Sequence, residues 1–250
     1  VYDAYDKQAW WLIVQLEILK RLSLIAFAIS LFVNIGLSDG VVDWRILPAI
    51  LFGWYLADAS SGIVHMYMDY RPCPTGRGLA EIYFYAGSRT SDEYLQLRRA
   101  AMSRIGPIQR LVYDFKNHHP RPDALGRRSF IDLIWSTVSF GALPLSIILN
   151  IVSVFWHIPL WFIAGAVVML VGGALAQYFH SSLHRADIPF AIRTMRSVGL
   201  LMTPSAHALH HATLRRDFAT NCGWSNPLLN PVFHVLHRHG VLSDSGLEPG

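Results

Sequence analysis

The chain has little charge. Only 15% of its 250 residues are Asp, Glu, Lys or Arg, against roughly 25% in soluble globular domains. Together with a hydrophobic content of 52%, this excludes a disordered, collagenous or coiled-coil chain, none of which tolerates so much apolar residue. Cysteine is scarce too: Cys73 and Cys222 are too few for a disulfide framework, a four-thiolate metal site or an iron–sulfur cluster. There is no HExxH and no glycine-rich dinucleotide fingerprint. A zinc protease of that kind and a chain carrying its own flavin or nicotinamide are therefore disfavoured. What the sequence does have is long apolar runs, a mean hydropathy of +0.32, and twelve histidines.

Crossing about 30 Å of hydrocarbon takes about 20 helical residues. Four runs meet or approach that length: 22–37, 46–68, 133–155 and 158–179. They predict an all-α integral membrane protein with four transmembrane helices in one domain over residues 1–250. Trp10, Trp11, Lys20 and Arg21 read as an interfacial approach to the first span, and Pro144 is expected to kink the third. Four spans put both termini and the long 69–132 segment on one side. Of the 21 Lys and Arg residues, only Arg45 falls in a short loop on the other side. By the positive-inside rule the face carrying the termini is cytoplasmic. The pI near 9.2 then follows from a basic surface against anionic lipid headgroups, with no nucleic acid required. The stretch 91–115, with Arg98, Arg99, Arg104 and Arg110 beside Leu95, Met102, Ile105 and Leu111, is expected to form a helical lid along that surface.

His65, His118, His119, His180, His184, His207, His210 and His211 come from four places in the sequence, yet this topology brings them all to the same face. His180 and His184 are four apart, and His207 precedes His210 and His211 by three and four, so each set shares a helix face. Imidazole ligates iron, zinc, copper or nickel. Eight imidazoles exceed what one ion takes, and two metals with about four nitrogens each is the natural division. The cap 69–132 and 180–250 is thus expected to be a histidine-rich di-metal site. His157, His234, His237 and His239 lack this pattern and read as surface or headgroup contacts.

Asp58 lies inside the second span, where a carboxylate is costly. It is seven residues, about 10 Å, before His65. Two roles are open: a bond to a histidine of another helix, or a packing contact with serine or backbone.

In order along the chain come Asp58-x-x-Ser61-Gly62-x-x-His65-x-x-x-Asp69, Asn117-His118-His119, His180-x-x-x-His184, His207-x-x-His210-His211 and Gly223-Trp224-x-Asn226-Pro227. This series, over about two thirds of the chain, resembles the Kua/CarF-type membrane lipid desaturases, the plasmanylethanolamine desaturase-like family. Two stretches depart from the pattern: residues 71–115 look like an elaboration, and Thr220-Asn221-Cys222 stands where the family usually has small or β-branched residues. The resemblance implies a non-haem enzyme with two Fe ions that uses O2 as co-substrate to desaturate an alkyl or acyl chain of a membrane lipid. It implies the ligand set His65, His118, His119, His180, His184, His207, His210 and His211, with Asp69 a further ligand or the orienter of one, and Asp58 and Asn226 supporting them. With no redox cofactor fingerprint in the chain, a separate ferredoxin or cytochrome b5-type donor is expected. A di-iron hydroxylase is the alternative enzyme, and a non-catalytic membrane metal-binding protein, a carrier or a sensor, is the alternative of another class, although polar intramembrane groups for a carrier's path are sparse apart from Asp58.

Overall fold

The computed structural model describes residues 2–250, with side chains from Trp10 onward except at residue 12. Its helices in chain order are α1 (Tyr2–Gly36), α2 (Ile46–Tyr70), α3 (Leu79–Tyr83), α4 (Asp92–Ser103), α5 (Pro107–Lys116), α6 (Pro122–Gly126) and α7 (Phe130–Thr137). A π-turn (Val138–Ala142) leads into α8 (Leu143–Phe155). Then follow α9 (Leu160–Ala174), α10 (Ala176–Leu183), α11 (Phe190–Ser197), α12 (Pro204–Thr213) and α13 (Asn226–Arg238). No strand occurs among the described residues; one isolated bridge pairs Asp39 with Pro159. The chain forms two compact units, Val1–Ser60 with Arg128–Ser181, and Ser61–Arg127 with Ser182–Gly250.

The first unit is the apolar one. Among the described residues three helices are long and apolar enough to span a membrane, Ile13–Gly36, Ile46–Tyr70 and Phe130–Phe155, and the bent pair α9–α10 makes a fourth if taken as one span. The first begins nine residues earlier than expected. Lys20 does not interrupt it, because its ammonium is buried between Glu17 (2.6 Å) and Asp132 (2.5 Å), so approach and span are one helix. Pro144 does not break the third span. Its missing N–H is absorbed by a π-turn, in which the Leu143 N–H reaches back five residues to the Val138 carbonyl. The sharp bend, 47°, falls instead between α9 and α10.

Within this unit α1 and α8 are joined by polar side chains. Ser30 and Ser146 meet at 2.7 Å, Asn34 Nδ2 donates to Ser146 Oγ at 2.7 Å, and Asn150 Nδ2 donates to Ser30 Oγ at 2.8 Å. Lipid offers no competing water, so such bonds tie apolar helices that have no hydrophobic force between them.

The second unit has two apolar cores. Cys73, Leu79, Ile82, Tyr94, Ala101, Ile105 and Val112 form one, made by α3, α4 and α5. Met66, Tyr70, Phe218, Leu229 and Phe233 form the other, between the end of α2 and α13. The stretch 91–115 is two helices. Ser91 caps α4 by accepting from the Tyr94 N–H (3.2 Å), and Gly106-Pro107 ends one helix and starts the next. Ile105 is buried in the core, whereas Leu95 and Leu111 remain exposed. The four arginines are all exposed.

Candidate metal centre

Local structure explains how the motifs act. On α2, Ser61 Oγ accepts from the Thr220 N–H at 3.2 Å. Next to it, Gly62 lies so close to residue 219 that a Cβ there would come within 2.9 Å of the Ala219 nitrogen. One turn beyond, His65 and Asp69 are buried. At the end of α5 the chain tightens into i→i−3 bonds, His118 N–H to Phe115 (3.2 Å) and His119 N–H to Lys116 (3.1 Å). Thr203 caps α12, where Pro204 takes the first position, and the helix presents His207, His210 and His211. His184 directly follows α10, which carries His180 one turn earlier.

These side chains sort into two groups of donor atoms, each within 4.8 Å of one another: His118, His184, His207 and His211, with His180 on the turn of α10 leading in; and His65, Asp69, His119 and His210. Adjacent helical residues diverge by about 100°, which divides His210 from His211 on α12, and His118 and His119 part likewise in the turn after α5. His118 and His211 go to the first group, His119 and His210 to the second. His207 and His211, four apart, stay together.

In the first group His207 Nε2 lies 3.2 Å from His184 Nε2 and 3.1 Å from His211 Nε2. In the second, Asp69 faces three imidazoles: Oδ2 is 3.4 Å from both His65 Nε2 and His210 Nε2, and Oδ1 is 3.3 Å from His119 Nε2. Backbone carbonyls set the tautomers, since a carbonyl only accepts. His210 Nδ1 donates to Arg216 (2.8 Å) and His118 Nδ1 to Phe115, which leaves each Nε2 with its lone pair toward the group. Burial holds the rings neutral. It pushes His184 and His211 down to about 4, the other imidazoles adding to the effect. His118, His119 and His207 are pushed down further by the same cause.

A metal ion fits this donor set. Both Asp69 oxygens and the Nε2 atoms of His119 and His210 are buried and make no hydrogen bond. Converging lone pairs and a buried carboxylate call for a cation among them.

The resemblance gives Asn226 and Asp58 supporting roles, and neither belongs to a donor group. Asn226 accepts from the Ala219 N–H (2.9 Å) and donates to its carbonyl (3.3 Å). That fixes the neighbouring Phe218, whose ring centre is 5.1 Å from that of His210. Asp58 is fully buried on α2. His157 pairs with Asp39 (2.8 Å) and His237 with Asp244 (3.0 Å), while His234 and His239 are exposed; none of the four joins a donor group. Lys116, absent from the sequence reading, is fully buried and donates to the carbonyls of Met68 (3.0 Å) and Asp69. Its only sequence signal is a basic residue just before Asn117-His118-His119.

Among the described residues the chain is all-helical and multi-pass, and its two adjoining groups of imidazoles, which could hold metal, define a histidine-rich membrane protein. The lipid desaturase domain family matches residues 103–243, more than half of the sequence, and the chain belongs to that family. It is also similar to the plasmanylethanolamine desaturase of Myxococcus xanthus, at 24% identity over 239 residues, covering 94% of this chain and 74% of the relative. No solved structure matches it.

Proposed function

We propose that this protein is an O2-dependent di-iron desaturase that introduces a carbon–carbon double bond into an alkyl or acyl chain of a membrane lipid. The observation that carries the reading is the division of two His-His pairs between two adjoining donor groups, an arrangement suited to two metal ions acting on one substrate. The family and the relative's name support the choice of a lipid chain and of desaturation.

The reaction balances as –CH2–CH2– plus O2, two electrons and two protons giving –CH=CH– plus two waters. Iron, when bound, supplies the O2 activation that cleaving an unactivated C–H bond requires. His118, His184, His207 and His211, with His180, would hold one ion; His65, Asp69, His119 and His210 would hold the other. The Phe115 and Arg216 carbonyls keep His118 and His210 in the ligating tautomer. Phe218, packed on the His210 ring, limits water on that side. Electrons come from a separate ferredoxin or cytochrome b5-type protein. The site faces the cytoplasm, which the skewed distribution of Lys and Arg supports.

Lipid mass spectrometry of cells with and without the protein, grown under 18-O-labelled dioxygen, tests this. A lipid two hydrogens lighter and free of label is expected. A lipid carrying one labelled oxygen would identify a hydroxylase, and an unchanged lipid profile would remove the enzymatic reading.

A further inference from the structure

A cavity of about 570 Å³ in the second unit has His119 and His211 in its lining, one histidine from each donor group. Its volume lies within the roughly 300–1,000 Å³ of ordinary small-molecule sites. Tyr83, Phe84, Leu214 and Leu247 supply the larger apolar side chains of the remaining wall, and Asp244, Ser245 and Glu248 its polar ones. The charge nearby is largely spoken for: Asp244 is paired with Arg215 (2.6 Å) and His237 (3.0 Å), and Glu248 is exposed. The C-terminal wall is fixed in place, since Gly246 lies against α2 so closely that a Cβ there would sit 2.0 Å from the Tyr70 carbonyl oxygen.

Leu214 adds a second, independent observation. It caps α12 with φ 53° and ψ 11°, the left-handed region that side chains disfavour and that helix ends usually fill with glycine or asparagine. The backbone contacts made there, its N–H to the His210 carbonyl (2.6 Å) and its carbonyl to the Tyr70 hydroxyl (2.9 Å), are equally open to glycine. A leucine strained at this point is therefore explained by what its side chain does, and that side chain lines the cavity.

We propose that this cavity receives the hydrocarbon chain of a lipid beside the metal centre, and that Leu214 sets how far the chain passes the two histidines. The inference rests on the lipid-oxidising reading above and adds the place where the chain lies. The apolar part of the lining, together with one histidine from each donor group, suits a methylene chain that must reach both ions.

The test uses the full chain, free of metal, in phosphatidylcholine vesicles doped with a phospholipid bearing a diazirine along one palmitoyl chain. Adducts after illumination are mapped by peptide mass. Labelling is expected at Tyr83, Phe84, Leu214 or Leu247, and Leu214→Trp should lower it several-fold while labelling of α1 and α8 stays constant. Adducts confined to the spanning helices, or equal labelling of the Leu214→Trp protein, would overturn the proposal. The second variant is Leu214→Gly, which suits the backbone conformation and so preserves the fold. With metal loaded as in the wild type, it should shift the double-bond position or the preferred chain length, and an unchanged product profile would count against the role of Leu214. Failure of the wild-type protein to alter any lipid would instead remove the enzymatic reading, and the metal-free labelling remains interpretable without it.

Discussion

Lys116 donates a hydrogen bond from its buried ammonium to the backbone carbonyl of Met68 at 3.0 Å, and a second to the carbonyl of Asp69 next to it. The last carbonyls of a helix lack intrahelical partners and carry partial negative charge. A lysine from α5 therefore closes the end of α2, although burial pushes its own pKa down to about 8. The link joins the helix that carries His65 and Asp69 to the turn that carries His119.

Lys116→Met should loosen the second donor group selectively. Outer contacts of this kind commonly change metal affinity by about 10–100-fold, and the first group draws no residue from α2. Metal analysis of the purified variant is expected to show loss of about half the bound metal. Full metal content with unchanged affinity would show that the clamp is dispensable.

Each donor group should also fail on its own. Alanine at His184 removes a ligand from the first group and alanine at His119 removes one from the second. Each is expected to lower the metal from about two ions per chain toward one and to abolish the change in lipid. His234→Ala, at an exposed position outside both groups, should alter neither. A His184→Ala protein with full metal and full activity would contradict this ligand set.

The spans and the eight histidines were legible in the sequence because hydropathy and helical spacing are local signals. Three features were not. The Pro144 π-turn depends on how a helix absorbs one missing N–H, which the sequence poses but does not answer. The split of His118 from His119 arises in the turn after α5, outside any helix, so no periodicity announces it and assigning each to a group needs the facing elements. The clamp by Lys116 joins residues 47 and 48 positions apart, and a buried lysine looks like any surface charge until its partners are known. The stretch 91–115 is helical as the pattern implies, but it is two helices, because Gly106-Pro107 stops one and starts the next within the amphipathic pattern.

The contact between α2 and α9 should be intolerant of even one methyl group. A Cβ at Gly53 would lie 2.1 Å from the Gly165 carbonyl oxygen, and one at Gly165 would lie 2.7 Å from the Ala49 carbonyl oxygen. Both neighbours are backbone and cannot rotate away. Gly165→Ala is expected to destabilise the protein by about 1–3 kcal/mol in reversible unfolding from detergent micelles. Gly173→Ala, on the same helix with nothing within 4 Å, should be neutral or gain up to about 1 kcal/mol from helix propensity. Equal behaviour of the two variants would rule out close packing as the cause.

The orientation of the chain is open to a direct test. Twenty of the 21 basic side chains lie outside the short loops, and a bias of that size sets which loops stay in the cytoplasm. Val42 stands in a short loop and is 81% exposed; Asp123 lies in the long 69–132 segment with its side chain 60% exposed. Of the native thiols, Cys73 is buried and Cys222 is partly accessible, so single cysteines are best placed in a Cys222→Ser background. A membrane-impermeant maleimide added to intact cells should label Val42→Cys and spare Asp123→Cys until the membrane is opened. The opposite pattern would put both histidine pairs on the far side of the membrane from cytosolic reductants, and the electron donor would then have to be sought there.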